Sequence, residues 1–399
     1  MSQKMSLKKP RNWETFEKER LEKMSDSIIH ACTLAKARFD EFLYSNYDGM
    51  STEKFIVHIR SLDEDERDDE LFQVLQSWVD WLSDTFDLNS ASTRQAFSRL
   101  NKFLWYCRIK ISSNDIKDEI EWPEDIQEER YAPTDDEFSQ IVSNLGWRNR
   151  GFCIGLSCPG MRPVELMGTQ KKHYSFVNGR WMIEIPYYLT KKRISRTTGF
   201  SKEFNPFITK LLKERSDEDF VWTKRRQVPE SFFQKYSHLK DEKAKIKAIK
   251  RFATDMLTVV RISFNRKLKT LGLDMKYEST GEHKITFYSF RGRFVTRALK
   301  ILDGDVVHAI VGHGAYLQTY QRRTIQEKAE LIDVIESDIM IGDSARKKAQ
   351  IEKMKLEKNE SVKVKNEFDD YKKETDAKMD RFEKMIDEKW ESSKKDLNS

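Results

Sequence analysis

Apolar positions in the first third of the chain recur at spacings of three and four. Ser25 to Phe42, Asp69 to Phe86 and Ser92 to Arg108 each show one apolar stripe and no alternating stretch, so residues 13 to 115 are predicted to be helical throughout. The pattern breaks at Asp118 to Arg130, an acidic stretch that carries Pro123. Pro133 disfavours a continuing helix, while Thr134, followed by Asp135, Asp136 and Glu137, suits the cap of a new one. Period two appears at Met182 to Ile185, inside a run rich in β-branched and aromatic residues from Arg180 to Leu189, and predicts a strand. Thr190-Lys191-Lys192-Arg193 then reads as a turn and Arg196 to Phe200 as the returning strand. Further helices are predicted to end after Phe152 to Leu156 and to span Arg291 to Ile301. Beyond Ile341 the chain is dominated by Lys, Glu and Asp. Ile351, Met354, Phe368, Met379, Phe382 and Ile386 hold heptad positions that Lys358, Ser361, Lys365, Lys372, Thr375 and Lys389 interrupt, which fits a weak coiled coil or a lone charged helix. The expected class is mainly α with a small β-hairpin or sheet (α+β), with domains at 1–130, 131–342 and 343–399.

Composition adds exclusions. The 399 residues are 35% charged, and no stretch approaches the apolar length of a membrane span. Met1-Ser2-Gln3-Lys4 starts no secretory signal, so a cytoplasmic protein without membrane contact is expected. Cys32, Cys107, Cys153 and Cys158 sit singly in apolar or aromatic surroundings and read as buried thiols. No H-E-x-x-H, Walker A box or metal-nuclease carboxylate cluster occurs, so neither metal nor cofactor is expected. The net charge of +6 is weakly basic, because the acidic run Asp63 to Glu70 offsets cations elsewhere.

The candidate chemistry lies in four separated segments. Gly160-Met161-Arg162-Pro163-Val164-Glu165-Leu166 presents an arginine with a glutamate close enough to hold it. Tyr288-Ser289-Phe290-Arg291 opens a helix, and Val311-Gly312-His313-Gly314 leads to Tyr320. Two arginines supply fork-shaped cations for a phosphate, and a phenol can serve as a covalent nucleophile. Basic and aromatic residues also mix at Arg94, Arg99 and Lys102 to Tyr106. Lysines recur from Lys235 to Arg251 beside Tyr236, Phe252 and Met256, as either a phosphate-tracking face or an amphipathic helix.

Together these segments resemble the tyrosine recombinase (phage integrase) family over roughly residues 130 to 342, most like archaeal integrases, which often carry a charged tail. The family pattern is an arginine box, a β-hairpin lysine, an H-x-x-R box, a G-H box and a tyrosine. Two departures stand out: Tyr288 replaces the H-x-x-R histidine, and Tyr320 follows His313 by seven residues rather than about nine. A phenol can still donate to a phosphate oxygen. The resemblance implies Arg162, Lys191, Tyr288, Arg291, His313 and Tyr320 as catalytic residues, with Glu165 in support. Tyr320-Gln321-Arg322-Arg323-Thr324 and Glu327 resemble the sequence that follows the family's nucleophile, which favours Tyr320, with Tyr316 as the alternative. Lys191 is the candidate hairpin lysine and Lys192 its alternative. Arg94, Arg99, Lys102, Lys192, Arg193 and Arg293 are the expected DNA contacts.

The implied activity is site-specific recombination of double-stranded DNA through a 3′-phosphotyrosyl intermediate, by a protein that is a monomer or weak dimer when free and a homotetramer on its site. A type IB topoisomerase-like nicking-closing enzyme and an inactive DNA-binding protein of the same fold are the alternatives. The apolar stripe of Ala329 to Ile335 and Ile339 to Ile341 is expected to stay partly exposed in the monomer for docking on a neighbour.

Overall fold

The computed structural model describes residues 11–24, 26–125, 128–213, 215–223, 236, 238–313 and 320–342, with helical pieces between 346 and 386. The chain divides into two compact units: Met1–Glu129 with Lys276–Glu282, and Arg130–Met275 with His283–Ser399.

In the first unit, α1 (Trp13–Phe16) runs into a π-helical turn at Glu17–Leu21. It is followed by α2 (Asp26–Asn46), α3 (Thr52–Ser61), α4 (Glu64–Phe86), α5 (Ser90–Tyr106) and α6 (Ser113–Glu119). Helix α4 begins well before its apolar stripe. Asp63 caps it, accepting from the Glu66 amide at 3.1 Å, and Glu64, Asp65 and Glu66 fill its first turn, where negative charge favours the helix dipole. The acidic run is therefore a helix start. The core is aromatic: Phe39 of α2 meets Trp78 of α4 edge to face at 5.1 Å and Phe55 of α3 at 5.5 Å. Segment 276–282 joins this unit through Glu128, whose carboxylate accepts the amides of Glu278 and Ser279 at 3.2 and 3.0 Å.

The second unit starts with α7 (Asp135–Asn144). Thr134 and Glu137 form a reciprocal capping box there. Next come α8 (Trp147–Ser157), α9 (Pro163–Met167), and the antiparallel strands β1 (Tyr174–Val177), β2 (Arg180–Ile185) and β3 (Arg196–Gly199) in that spatial order. The register pairs Ile185 with Arg196 and Ile183 with Thr198. Strand β1 is absent from the sequence reading. Its signal was the Asn178-Gly179 pair, with φ of 51° and 75°, the left-handed geometry of a tight hairpin turn. Strand β2 is shorter than expected because Pro186 and a 3-10 turn at Tyr187–Leu189 end it. Helices α10 (Asn205–Leu212), α11 (Glu242–Thr270), α12 (Phe287–Ala298), α13 (Gly304–Val311) and α14 (Ile325–Ile339) complete the unit. Their core centres on Phe138, Phe152, Phe204, Phe264, Phe290 and Phe294. No described helix is long and apolar enough to cross a membrane.

Helix α14 corrects one expectation. Ala329, Ile332, Ile335, Ile339, Met340 and Ile341 are buried within their own chain, against α12 and the sheet. Arg180 explains why. Its guanidinium is wholly buried, donates to the Phe200 carbonyl and Glu336 carboxylate at 2.9 Å, and pairs with Asp333. At the far end Arg293 donates to the Ile339 and Met340 carbonyls at 2.7 and 2.9 Å, satisfying acceptors that a helix end leaves open. The Glu203 carboxylate takes the next two amides, Ile341 and Gly342. By contrast Phe368, Met379, Phe382 and Ile386 of the tail are exposed.

Replacing Arg180 with alanine leaves Glu336 buried with a weakened partner set. Such a loss costs about 3–5 kcal/mol, and the urea midpoint of Arg180→Ala should fall accordingly with its slope unchanged. A fall below about 1 kcal/mol, the scale of an exposed pair, would remove Arg180 from the forces that dock α14.

Candidate active site

A sharp turn follows α8. Gly160 has φ of 58°, and a Cβ there would lie 2.6 Å from Phe294 and 2.7 Å from Val311, so only glycine lets the turn close against α12 and α13. Arg162 then caps α9. Its amide donates to Glu165 Oε2 at 2.9 Å and its Nη1 to Oε1 at 2.7 Å. The same carboxylate, fully buried, receives Arg196 of β3 at 2.7 and 3.4 Å. Arg196 Nε donates in turn to the Ile310 carbonyl at 3.2 Å. Burial alone would raise the Glu165 carboxyl, but the charge and hydrogen bonds of Arg196, with those of Arg162, hold it below the usual carboxylate range.

Arg291 comes from α12, which starts with a capping box between Thr286 and Ser289. Its Nη1 donates to the Gly160 carbonyl, its Nη2 donates to the Val311 carbonyl at 3.1 Å, and the same Nη2 lies 3.5 Å from His313 Nε2. Burial, then the Arg162 charge, pushes its pKa down to about 10, still charged at neutral pH. Gly312 (φ 85°) ends α13, and a Cβ there would lie 2.6 Å from the Arg196 guanidinium. His313 follows. Its pKa is lowered by burial, then by Arg291, His308, Arg162 and Lys192.

Arg162, Arg291 and His313 thus converge, as the sequence predicts. Tyr288 lies one turn before Arg291, is 58% exposed, and acts electrostatically on Arg291. Lys191, Lys192 and Arg193 project into solvent from a turn held by Thr190, whose hydroxyl accepts the Ile194 amide at 2.9 Å. Lys192 is the one whose charge acts on His313. Tyr316 lies outside the described residues. Tyr320 is 2% exposed. Its ring sits below Lys328 at 5.2 Å, and burial pushes its phenol far above its ordinary value, only partly countered by Thr198 and Arg196. Among the described residues, the Tyr320 and Thr198 hydroxyls are buried and neither meets a hydrogen-bond partner in good geometry. Among the described residues Tyr320 makes no hydrogen bond to Arg162, Arg291 or His313. The charge of Arg196 acts on both Tyr320 and Arg291.

Of the expected DNA contacts, Arg293 is corrected. It is 7% exposed and its donors are spent on Asp135 and the end of α14, so it is a clasp and is unavailable to a ligand. Arg94 stacks on Trp122 at 4.6 Å and Arg99 buries its Nε. Lys102 lines a cavity of about 1110 Å³ in the first unit, together with Arg11, Arg20, Arg60, Arg108 and Trp105. Sequence reading missed Arg196 and His308. Arg196 left one clue, its place in the inward-facing alternation of Arg196, Thr198 and Phe200 on the returning strand.

Chemically, two guanidiniums held by backbone carbonyls and a buried carboxylate form a rigid cationic cradle. Their remaining donors suit an anionic oxygen whose charge grows during a reaction.

The depressed Glu165 carboxyl has a signed consequence. Its contribution to stability is present above the unfolded carboxylate pKa and is lost as pH falls through the lower folded value. Glu165→Gln should therefore lower the thermal midpoint most at neutral pH, and the gap to the native chain should narrow on acidification below about pH 4. A gap independent of pH would remove Glu165 from the acid limb.

No protein-family model and no curated protein matches this sequence. Among solved structures, the chain is similar to the Tn1549 transposon integrase in complex with transposon right end DNA, at 16% identity, 76% of this chain, 93% of that chain and TM-score 0.48. It is also similar to the XerH site-specific recombinase bound to difH substrate (16% identity, 76% and 78% of the two chains, TM-score 0.45). A lambda integrase tetramer bound to a Holliday junction gives 14% identity, 81% and 86%, and TM-score 0.42. These likenesses are distant, and the functional reading rests on the chain's own residues.

Proposed function

We propose that the chain is a site-specific DNA recombinase of the integrase kind, which cleaves and rejoins strands through a 3′-phosphotyrosyl intermediate. The observation that carries this reading is the convergence of Arg162, Arg291 and His313 from three elements remote in sequence, each arginine locked before any ligand arrives. Arg162 and Arg291 grip the non-bridging oxygens of the scissile phosphate, and His313 adds a donor where charge builds. Tyr288, beside Arg291, donates its phenol O–H to the same phosphate. Tyr320 gives its phenolic proton to water and attacks phosphorus, the bond to the 5′-oxygen breaks, and a hairpin lysine gives that oxygen its proton. Lys192 is favoured over Lys191 because its charge acts on His313. Religation runs the same steps backward. Since Tyr320 rests with its hydroxyl buried, it must leave its seat before attack, and the resting protein holds its nucleophile back.

The basic, aromatic-lined cavity of the first unit supplies cations and stacking surface for a nucleic-acid backbone. Binding of the chain to duplex DNA should weaken steeply between low and moderate salt. A flat salt dependence would point to a different ligand.

The decisive experiment incubates the chain with a library of nicked random-sequence duplexes, captures covalent adducts and maps the modified residue. Tyr320→Phe should abolish the adduct and leave binding nearly intact, while Tyr316→Phe retains it. Arg291→Lys should slow adduct formation about 10²–10³-fold, since lysine cannot reproduce the fork. An adduct lost only in Tyr316→Phe moves the nucleophile. Plasmid relaxation without site preference makes the protein a nicking-closing enzyme, and binding with no adduct makes it a DNA-binding protein of this fold.

A further inference from the structure

The end of α13 is a glycine-terminated cap in which the His313 amide donates to the His308 carbonyl at 2.8 Å and the Gly312 amide to the Ala309 carbonyl at 3.0 Å. Such a cap brings the residue after the glycine against the helical residue five positions earlier, a contact that is usually apolar. Here it joins two imidazoles. The rings of His308 and His313 meet edge to edge, with centroids 5.0 Å apart and planes inclined by 25°, and their Nδ1 atoms are 2.9 Å apart. Two bare lone pairs repel at that distance and two N–H groups collide, so one proton lies between the rings.

We propose that His308 is a positioning residue for His313: by sharing that proton it sets which nitrogen of His313 can donate to a bound phosphate. The inference rests on the recombinase reading for its functional part and on the cap geometry for its chemical part. In the free protein Arg291 Nη2 faces His313 Nε2 at 3.5 Å. The guanidinium can only donate, so His313 presents a lone pair at Nε2, carries its proton on Nδ1, and His308 Nδ1 accepts. When a phosphate oxygen takes the Arg291 donor, Nε2 has to donate instead. The shared proton then passes to His308 Nδ1, one proton leaves His308 Nε2 for solvent, and one enters His313 Nε2. The pair's proton count is unchanged. Arg162 from the turn before α9, Arg291 from α12 and Lys192 from the hairpin face His313; their charge opposes a second proton on the pair, so exchange within it, rather than net protonation, supplies the donor.

The test is nitrogen-resolved imidazole spectroscopy on the full chain, with the seven histidines assigned by substitution. His313 should show one dominant tautomer, with its proton on Nδ1. Adding inorganic phosphate should shift the proton from Nδ1 to Nε2 of His313. In His308→Phe, which keeps an aromatic ring at the position and removes both nitrogens, His313 should lose its tautomer preference. His308→Gln, which can still donate or accept, should retain the preference. In the adduct assay His308→Phe should be slower on the order of tenfold, the usual scale for a residue that orients a reactive histidine, with His308→Gln close to the native rate. Identical His313 spectra in the native and His308→Phe proteins would overturn the proposal, as would equal adduct rates across pH. Absence of any adduct with the native chain would sink the recombinase reading instead, and the spectra would still decide the proton sharing.

Discussion

A carboxylate with no access to water holds the second unit's functional face together. Glu165 accepts from Arg162 at its own helix start and from Arg196 on β3, and Arg196 continues to the last turn of α13 through Ile310. Burying Glu165 and Arg196, with Arg162 half-buried beside them, is costly, and the attraction between them offsets that cost only when every donor and acceptor is matched. Matching them forces the turn at Gly160, the register of β3 and the end of α13 into one arrangement. The same turn presents the Gly160 carbonyl that orients Arg291. One ionic node thus fixes Arg162 directly and Arg291 through the Gly160 turn.

Helix α14 is held by comparable devices at its middle and at its C-terminus. Arg180 grips its middle from β2, while Arg293 and Glu203 satisfy the carbonyls and amides around its C-terminus. Asp135 links this clasp to the start of the unit, because its carboxylate receives Arg293, Arg297 and Arg346. These are buried or half-buried contacts, of the kind whose loss is felt, unlike the exposed pairs along the tail.

Local patterns carried much of this. The helices of the first unit follow from apolar spacing, and the start of α7 from Thr134 with Glu137. Arg162, Arg291 and His313 stood out because their boxes are short and ordered along the chain. What did not stand out depends on partners far away in sequence. Arg293 looked like any surface arginine until Asp135 and the end of α14 enclosed it. Arg196 is one more strand residue until Glu165 lies opposite. The stripe on α14 is equally suited to a neighbour or to its own sheet, and only the Arg180 contact to Glu336 decides between them. Strand β1 is the exception, since Asn178-Gly179 was a local sign and was passed over. His308 was legible too, given that a glycine cap pairs the positions on either side of it.

The anchoring of α14 also sets a leash. Thr324 is fixed by its reciprocal cap with Glu327, and Tyr320 lies four positions before it. At about 3.5 Å per residue, that length of chain reaches at most about 14 Å from the cap. The Tyr320 Cα can therefore move only within that radius while the helix stays docked, and the phenol reaches one side-chain length beyond it. On the proposed reading, a target phosphate would have to be delivered within that reach, so substrate placement, more than travel of Tyr320, would decide when the two meet.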